Sequence, residues 1–95
     1  MQEFQGNVAV ITGAASGIGK GLARQCAAEG MRVVLADVDE EGLGEIRSEL
    51  EKRGTEVLAV PTDVRQAKNV DALAAASLEK FGAVHLVFNN AGVLL

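Results

Sequence analysis

The chain has 95 residues, 48% of them hydrophobic and 23% charged, which fits one small globular domain and no more. A formal charge of −4 with no Lys/Arg run removes the electrostatic footprint of a nucleic-acid binder. There is no apolar run near the roughly 18 residues of a membrane span and no basic-then-apolar leader, and Cys26 is the single cysteine, so a cytoplasmic setting without a membrane partner is expected.

Val8–Thr12 is a compact apolar run ending in glycine, as expected of a strand buried on both faces. From Ile18 to Glu29 the residues Ile18, Leu22, Ala23, Cys26 and Ala27 share one side of a helix, and Gly30 follows where a C-cap sits. Arg32–Asp37 reads as a second buried strand. Leu43, Ile46 and Leu50 mark a second helix closed by Gly54. Glu56–Val60 reads as a third strand that Pro61 stops, because proline offers no ladder donor. Val70, Leu73, Ala74, Ser77, Leu78 and Phe81 line a third helix closed by Gly82, and Val84–Phe88 forms a fourth strand, apolar on both faces. Helix, glycine, one spacer and strand recur at Gly30, Gly54 and Gly82. This grammar predicts a parallel sheet with right-handed crossovers and no internal linker.

The strongest motif is Thr12-Gly13-Ala14-Ala15-Ser16-Gly17-Ile18-Gly19, between the first strand and the first helix. Gly13 lets the chain turn out of the strand, Gly17 clears the approach to a pyrophosphate, and Gly19 permits close packing of helix on sheet. The helix N-terminus offers open N–H groups to phosphates, and Ser16 adds a hydroxyl. A P-loop is excluded, since Lys20 is followed by Gly21 and not by Ser or Thr. About twenty residues beyond the loop, Asp37 ends the second strand, where a carboxylate accepts hydrogen bonds from ribose hydroxyls and repels a 2′-phosphate. The structural alternative makes Asp37 or Asp39 a cap of the next helix, and Asp39 suits that task better because it directly precedes Glu40-Glu41.

With these landmarks in order, and with Asp63-Val64 after the third strand and Asn89-Asn90-Ala91-Gly92 after the fourth, the whole chain resembles the short-chain dehydrogenase/reductase family. The resemblance implies an α/β fold: a three-layer, doubly wound Rossmann half-domain with parallel strand order 3-2-1-4. It implies that Gly13, Ser16, Gly17, Ile18 and Gly19 line the pyrophosphate and reach toward the nicotinamide, while Asp37 holds the adenosine ribose. Asp63 would face the adenine amino group, Val64 would pack on the ring, and Asn89, Ala91 and Gly92 would brace the sheet beside the cofactor and touch its ribose. Asp63-x-x-Gln66 also reads as a capping box, so a purely structural Asp63 stays open. Family members that prefer NADP usually carry a basic residue where this chain has Ser16 or Val38, so NAD is the cofactor implied.

The activity implied is hydride transfer between NAD and an alcohol or ketone. The family's catalytic Ser, Tyr and Lys follow the Asn-Asn-Ala-Gly motif, whereas this chain runs three residues past it and contains no Tyr. Without that phenol nothing exchanges a proton with the substrate oxygen, so these 95 residues are expected to bind a dinucleotide and catalyse nothing by themselves. Two alternatives stand beside that reading: a non-catalytic nucleotide-binding or assembly module, and an engineered half-Rossmann unit. His85 and Cys26 read as packing residues. The fourth strand carries no Pro, Lys or Gly, so its outer edge is expected to pair with a second copy in a two-fold homodimer that also covers Leu86, Val93, Leu94 and Leu95.

Overall fold

The computed structural model describes residues 5–90; Ala91, Gly92, Val93, Leu94 and Leu95 lie outside the described residues. Within this span four strands, β1 (Val8–Thr12), β2 (Arg32–Asp37), β3 (Val57–Pro61) and β4 (Leu86–Asn89), alternate with three helices, α1 (Gly17–Ala28), α2 (Glu40–Lys52) and α3 (Ala67–Phe81). All pairings are parallel and the order is β3-β2-β1-β4, the doubly wound arrangement expected.

Strand parity divides the core in two. Ala9, Ile11, Val33 and Leu35 pack with Ala23 and Cys26 of α1 and Leu43, Ile46 and Leu50 of α2. Val8, Val10, Val34 and Ala36 turn the other way and pack with Leu73 and Phe81 of α3. Every residue of β1 is buried, which is why its sequence runs apolar without alternation. Ile11 and Leu35 have no exposed surface; cutting either to Ala would cost roughly 2–5 kcal/mol, a large part of a small domain's stability.

Several boundaries differ from the sequence reading. Pro61 does not stop β3 but ends it as a paired residue opposite Asp37. The next donor, Thr62 N–H, reaches the Asp37 carbonyl at 2.9 Å, so the proline nitrogen faces the open side of an edge strand, where no donor is needed. Glu56 falls outside the strand. Only Gly30 is followed by a single spacer; two residues separate Gly54 from β3 and three separate Gly82 from β4. Ile18 does not join the core. It is 72% exposed, because a first-turn side chain leans past the end of the sheet toward the helix N-terminus.

The fourth strand is shorter than expected and is not buried on both faces. Leu86 and Phe88 pack against the larger core, while Val87 stays 64% exposed because no further layer covers it among the described residues. His85 lies outside β4 and is exposed, so it is not a packing residue. Its N–H donates to the Val8 carbonyl and its ring Nδ1 accepts from the Val8 N–H, both at 2.9 Å, fastening the start of β1. Cys26 is buried as expected. Burial, and then the nearby Glu29, raises its thiol above the usual range and keeps it unreactive.

Candidate functional site

The C-terminal ends of all four strands converge on one side of the sheet, and the glycine loop sits at their centre. Gly13 adopts φ +64°, a left-handed turn that directs the chain from β1 into α1. Ser16 is the N-cap of α1: its Oγ accepts from the Gly19 N–H at 3.0 Å and donates to the Gly13 carbonyl at 2.8 Å. The single hydroxyl proton is thus committed to the loop and is not an open donor, contrary to the expectation for Ser16. The N–H groups of Gly17 and Ile18 have no acceptor among the described residues, and a Cβ on Gly17 would meet open space. A Cβ on Gly19 would run into the Gly13 carbonyl and the Ala14 Cα. What Gly19 makes room for is therefore the loop's own backbone.

Asp37 ends β2 beside this loop. Its Oδ2 accepts from the Ala15 N–H at 2.9 Å and its Oδ1 from the Asp39 N–H at 3.0 Å. It does not cap α2; Asp39 does, accepting from the Gly42 N–H at 3.0 Å. The Asp37 carboxylate thus ties the glycine loop to the sheet and retains lone pairs that no described donor uses.

The third wall comes from the turn after β3. Asp63 does not form a capping box: α3 begins at Ala67, its N-cap Gln66 makes no side-chain cap bond, and Asp63 turns back on Arg65. Its Oδ1 accepts from the Arg65 N–H and Nε, its Oδ2 from Arg65 Nη2, each at 3.0 Å. The guanidinium fork, with the backbone N–H second, holds the Asp63 carboxyl below its ordinary range, so it stays ionised at neutral pH.

At the end of β4 the two asparagines part. Asn89 follows the parity of Val87, and its Oδ1 accepts from Thr12 Oγ1 at 2.9 Å. Asn90 instead reaches the glycine loop, its Nδ2 donating to the Gly13 carbonyl at 3.2 Å and to Ser16 Oγ at 3.0 Å. Together these residues enclose a cleft of about 350 Å³ lined by Gly13, Ser16, Asp37, Val38, Thr62–Arg65 and Asn90. Of the expected site residues, Gly13, Ser16, Asp37, Asp63 and Val64 meet there. Gly17 and Ile18 stand outside the lining with their open N–H groups, and Gly19 is buried beneath the loop. Asn89 instead lines an adjoining apolar groove of about 510 Å³ between α3 and β4, which shares Val64 with the cleft. Ala91 and Gly92 lie outside the described residues. No group of three or more metal-ligating side chains occurs among the described residues, and no described helix is long and apolar enough to cross a membrane.

A family model described as short chain dehydrogenase matches residues 7–95. The chain belongs to that family. Among solved short chain dehydrogenases it is 56% identical to one from Burkholderia phymatum in complex with NAD, with a TM-score of 0.93 over 98% of this chain and 33% of that one. L-Sorbose reductase from Gluconobacter frateurii, solved with NADPH and L-sorbose, is 39% identical, with a TM-score of 0.89 over 94% of this chain and 34% of that one. The CLA biosynthesis dehydrogenase/reductase of Lactiplantibacillus plantarum is 39% identical over 100% of this chain, which is 33% of its own length. The chain thus spans about a third of the length of the relatives it matches.

Thr62, Arg65 and Asn90 line the cleft but are not among the site residues that the sequence reading assigns. For Asn90 the signal was available: strand parity from Phe88 sends Asn89 to the α3 side and leaves the next residue to bend back to the loop. For Arg65 it was the Asp-x-Arg spacing, which brings a short acid and a cation together across a tight turn.

Proposed function

We propose that this chain is the cofactor-binding portion of a short chain dehydrogenase that takes NAD in preference to NADP and serves hydride transfer between NAD and an alcohol or ketone. The observation that carries this reading is the arrangement about the glycine loop: open N–H groups at the start of α1 on one side and the Asp37 carboxylate, lining the cleft, on the other. Gly17 and Ile18, with Gly13 and Ser16 shaping the loop and Gly19 seating it, would receive the diphosphate. Asp37 would accept from the adenosine ribose hydroxyls with its remaining lone pairs, and its charge would oppose a 2′-phosphate. Asp63 and Val64 would meet the adenine, and Asn89, Ala91 and Gly92 would brace the sheet end beside the cofactor's ribose. Bound NAD supplies the hydride acceptor. The residues present bind and orient it, while the proton-transferring phenol has no counterpart in a chain without tyrosine.

Calorimetric titration of the 95-residue chain with NAD and with NADP tests the reading. NAD is expected to bind more tightly, by about tenfold or more, the scale on which a hydrogen bond to a charged acceptor differs from none. Equal affinities would remove Asp37 from its assigned role.

We further propose a cytoplasmic setting, favoured by the one buried thiol, and a homodimer through β4. In favour of the dimer, the outer side of β4 has no partner among the described residues and the exposed Val87 stands beside the apolar groove.

A further inference from the structure

Arg65 is the one Lys or Arg that lines the cleft among the described residues. Its position follows from the sheet. β3 lies beside β2 with Pro61 opposite Asp37, and the Thr62 N–H donates to the Asp37 carbonyl at 2.9 Å. The turn carrying Arg65 therefore leaves the sheet alongside the turn carrying Val38, the residue after the proposed ribose acceptor. Nε and one N–H of Nη2 are engaged by Asp63, which leaves three of the five guanidinium N–H donors open among the described residues. The Arg65 side chain is 77% exposed, so water or an incoming anion can reach the guanidinium and compete with Asp63 for it.

We propose that Arg65 is a specificity-determining residue: a cation parked on Asp63 that meets a 2′-phosphate in the cleft once the opposing Asp37 charge is gone. This inference rests on the reading of Asp37 as the ribose acceptor. With Asp37 present, a 2′-phosphate faces a carboxylate on one side and an engaged guanidinium on the other, and NAD is preferred. With Asp37 neutral, the guanidinium exchanges its Asp63 partner for the phosphate dianion, whose oxygens suit the planar fork. The basic residues that mark NADP preference in the sequence reading belong at positions 16 and 38. Arg65 approaches the same cleft from the turn after β3.

The test is an NMR titration of the 95-residue chain with adenosine 5′-monophosphate and adenosine 2′,5′-bisphosphate, two probes that differ only in the 2′-phosphate. The readout is the bisphosphate-to-monophosphate affinity ratio within each variant, so any uniform loss cancels, and the amide spectrum reports that each variant is folded. Asp37→Asn is expected to raise the ratio about tenfold, the scale of one charge-assisted hydrogen bond. In the Asp37→Asn/Arg65→Ala double variant the rise is expected to shrink to about twofold, what relief of repulsion alone leaves, and Asp37→Asn/Arg65→Lys should fall between the two, since a point charge replaces the planar fork. A double variant that keeps the full rise overturns the proposal, since the phosphate then has no need of Arg65. So does an Asp37→Asn ratio that does not rise although its monophosphate affinity falls. Failure of the underlying reading looks different: monophosphate affinity would be unchanged by Asp37→Asn, or absent from the unmodified chain.

Discussion

Asp37→Ala is expected to destabilise the fold before any ligand is added. The carboxylate accepts two backbone N–H groups, from Ala15 at 2.9 Å and Asp39 at 3.0 Å. Hydrogen bonds to charged acceptors contribute roughly 1.5–3 kcal/mol each when shielded. The Ala15 donor is half-buried under the loop and belongs near the middle of that range. The Asp39 donor is exposed, finds water readily, and falls well below it. The sum is about 2–3 kcal/mol. Asp37→Asn keeps one oxygen for Ala15 but loses the charge, so it should retain about half of that stabilisation. In urea, where a small domain loses on the order of 1 kcal/mol per molar, the unfolding midpoint should fall by about 2 M for Ala and about 1 M for Asn. Far-ultraviolet circular dichroism reads both midpoints. An Ala variant that unfolds with the unmodified chain would refute the claim that this carboxylate holds the loop, and would make Asp37 a residue kept only for its ligand.

Other consequences are as direct. The purified 95-residue chain with NAD and a panel of secondary alcohols should produce no NADH absorbance above buffer; turnover that survives repurification would mean a proton-transferring group other than tyrosine. Val87→Lys puts a charge on the exposed edge strand and should shift a β4-paired dimer to monomer in light scattering behind a sizing column, whereas an unchanged dimer would locate the contact elsewhere. Gly19→Ala drives a Cβ into the Gly13 carbonyl and the Ala14 Cα, neither of which is a flexible side-chain tip. A loss of about 1–3 kcal/mol, or roughly 5–20 °C in melting temperature, is expected, and a variant melting within about 2 °C of the parent would show that the loop can give way.

The fold was legible because its signals were redundant. Continuous burial of Val8–Thr12, the helical spacing of Leu43, Ile46 and Leu50, and the glycines after all three helices each point to the same alternation of strand and helix. That alternation leaves few parallel topologies open. The errors fell at edges, where a residue's environment depends on what lies beyond it. Pro61 is tolerated in β3 because its nitrogen faces an open side. Val87 reads as core and is exposed because nothing described covers it, and His85 reads as part of an apolar run yet serves as a backbone acceptor. Hydrophobic pattern reports which residues would bury well, not whether a neighbouring layer is present to bury them.

The site was legible in a narrower sense. Motif spacing names which residues meet at the strand ends, because the backbone path brings them there: Gly13 and Ser16 after β1, Asp37 after β2, Asp63 and Val64 after β3. It does not say how their donors and acceptors are already engaged, and that engagement decides what each can offer a ligand. Ser16 reads as a phosphate donor, but its one proton goes to the Gly13 carbonyl, so the open donors are the backbone N–H groups of Gly17 and Ile18. Asp63 reads as a free acceptor, but both its oxygens carry N–H groups of Arg65. Asn90, absent from the expected site, holds the loop through the same Gly13 carbonyl and Ser16 hydroxyl. The loop is therefore organised before a dinucleotide arrives, with Asp37, Ser16 and Asn90 satisfying its inward-facing polar groups and the start of α1 left open outward. A ligand entering such a site would meet little cost of ordering, which supports the proposed reception of a diphosphate at the start of α1.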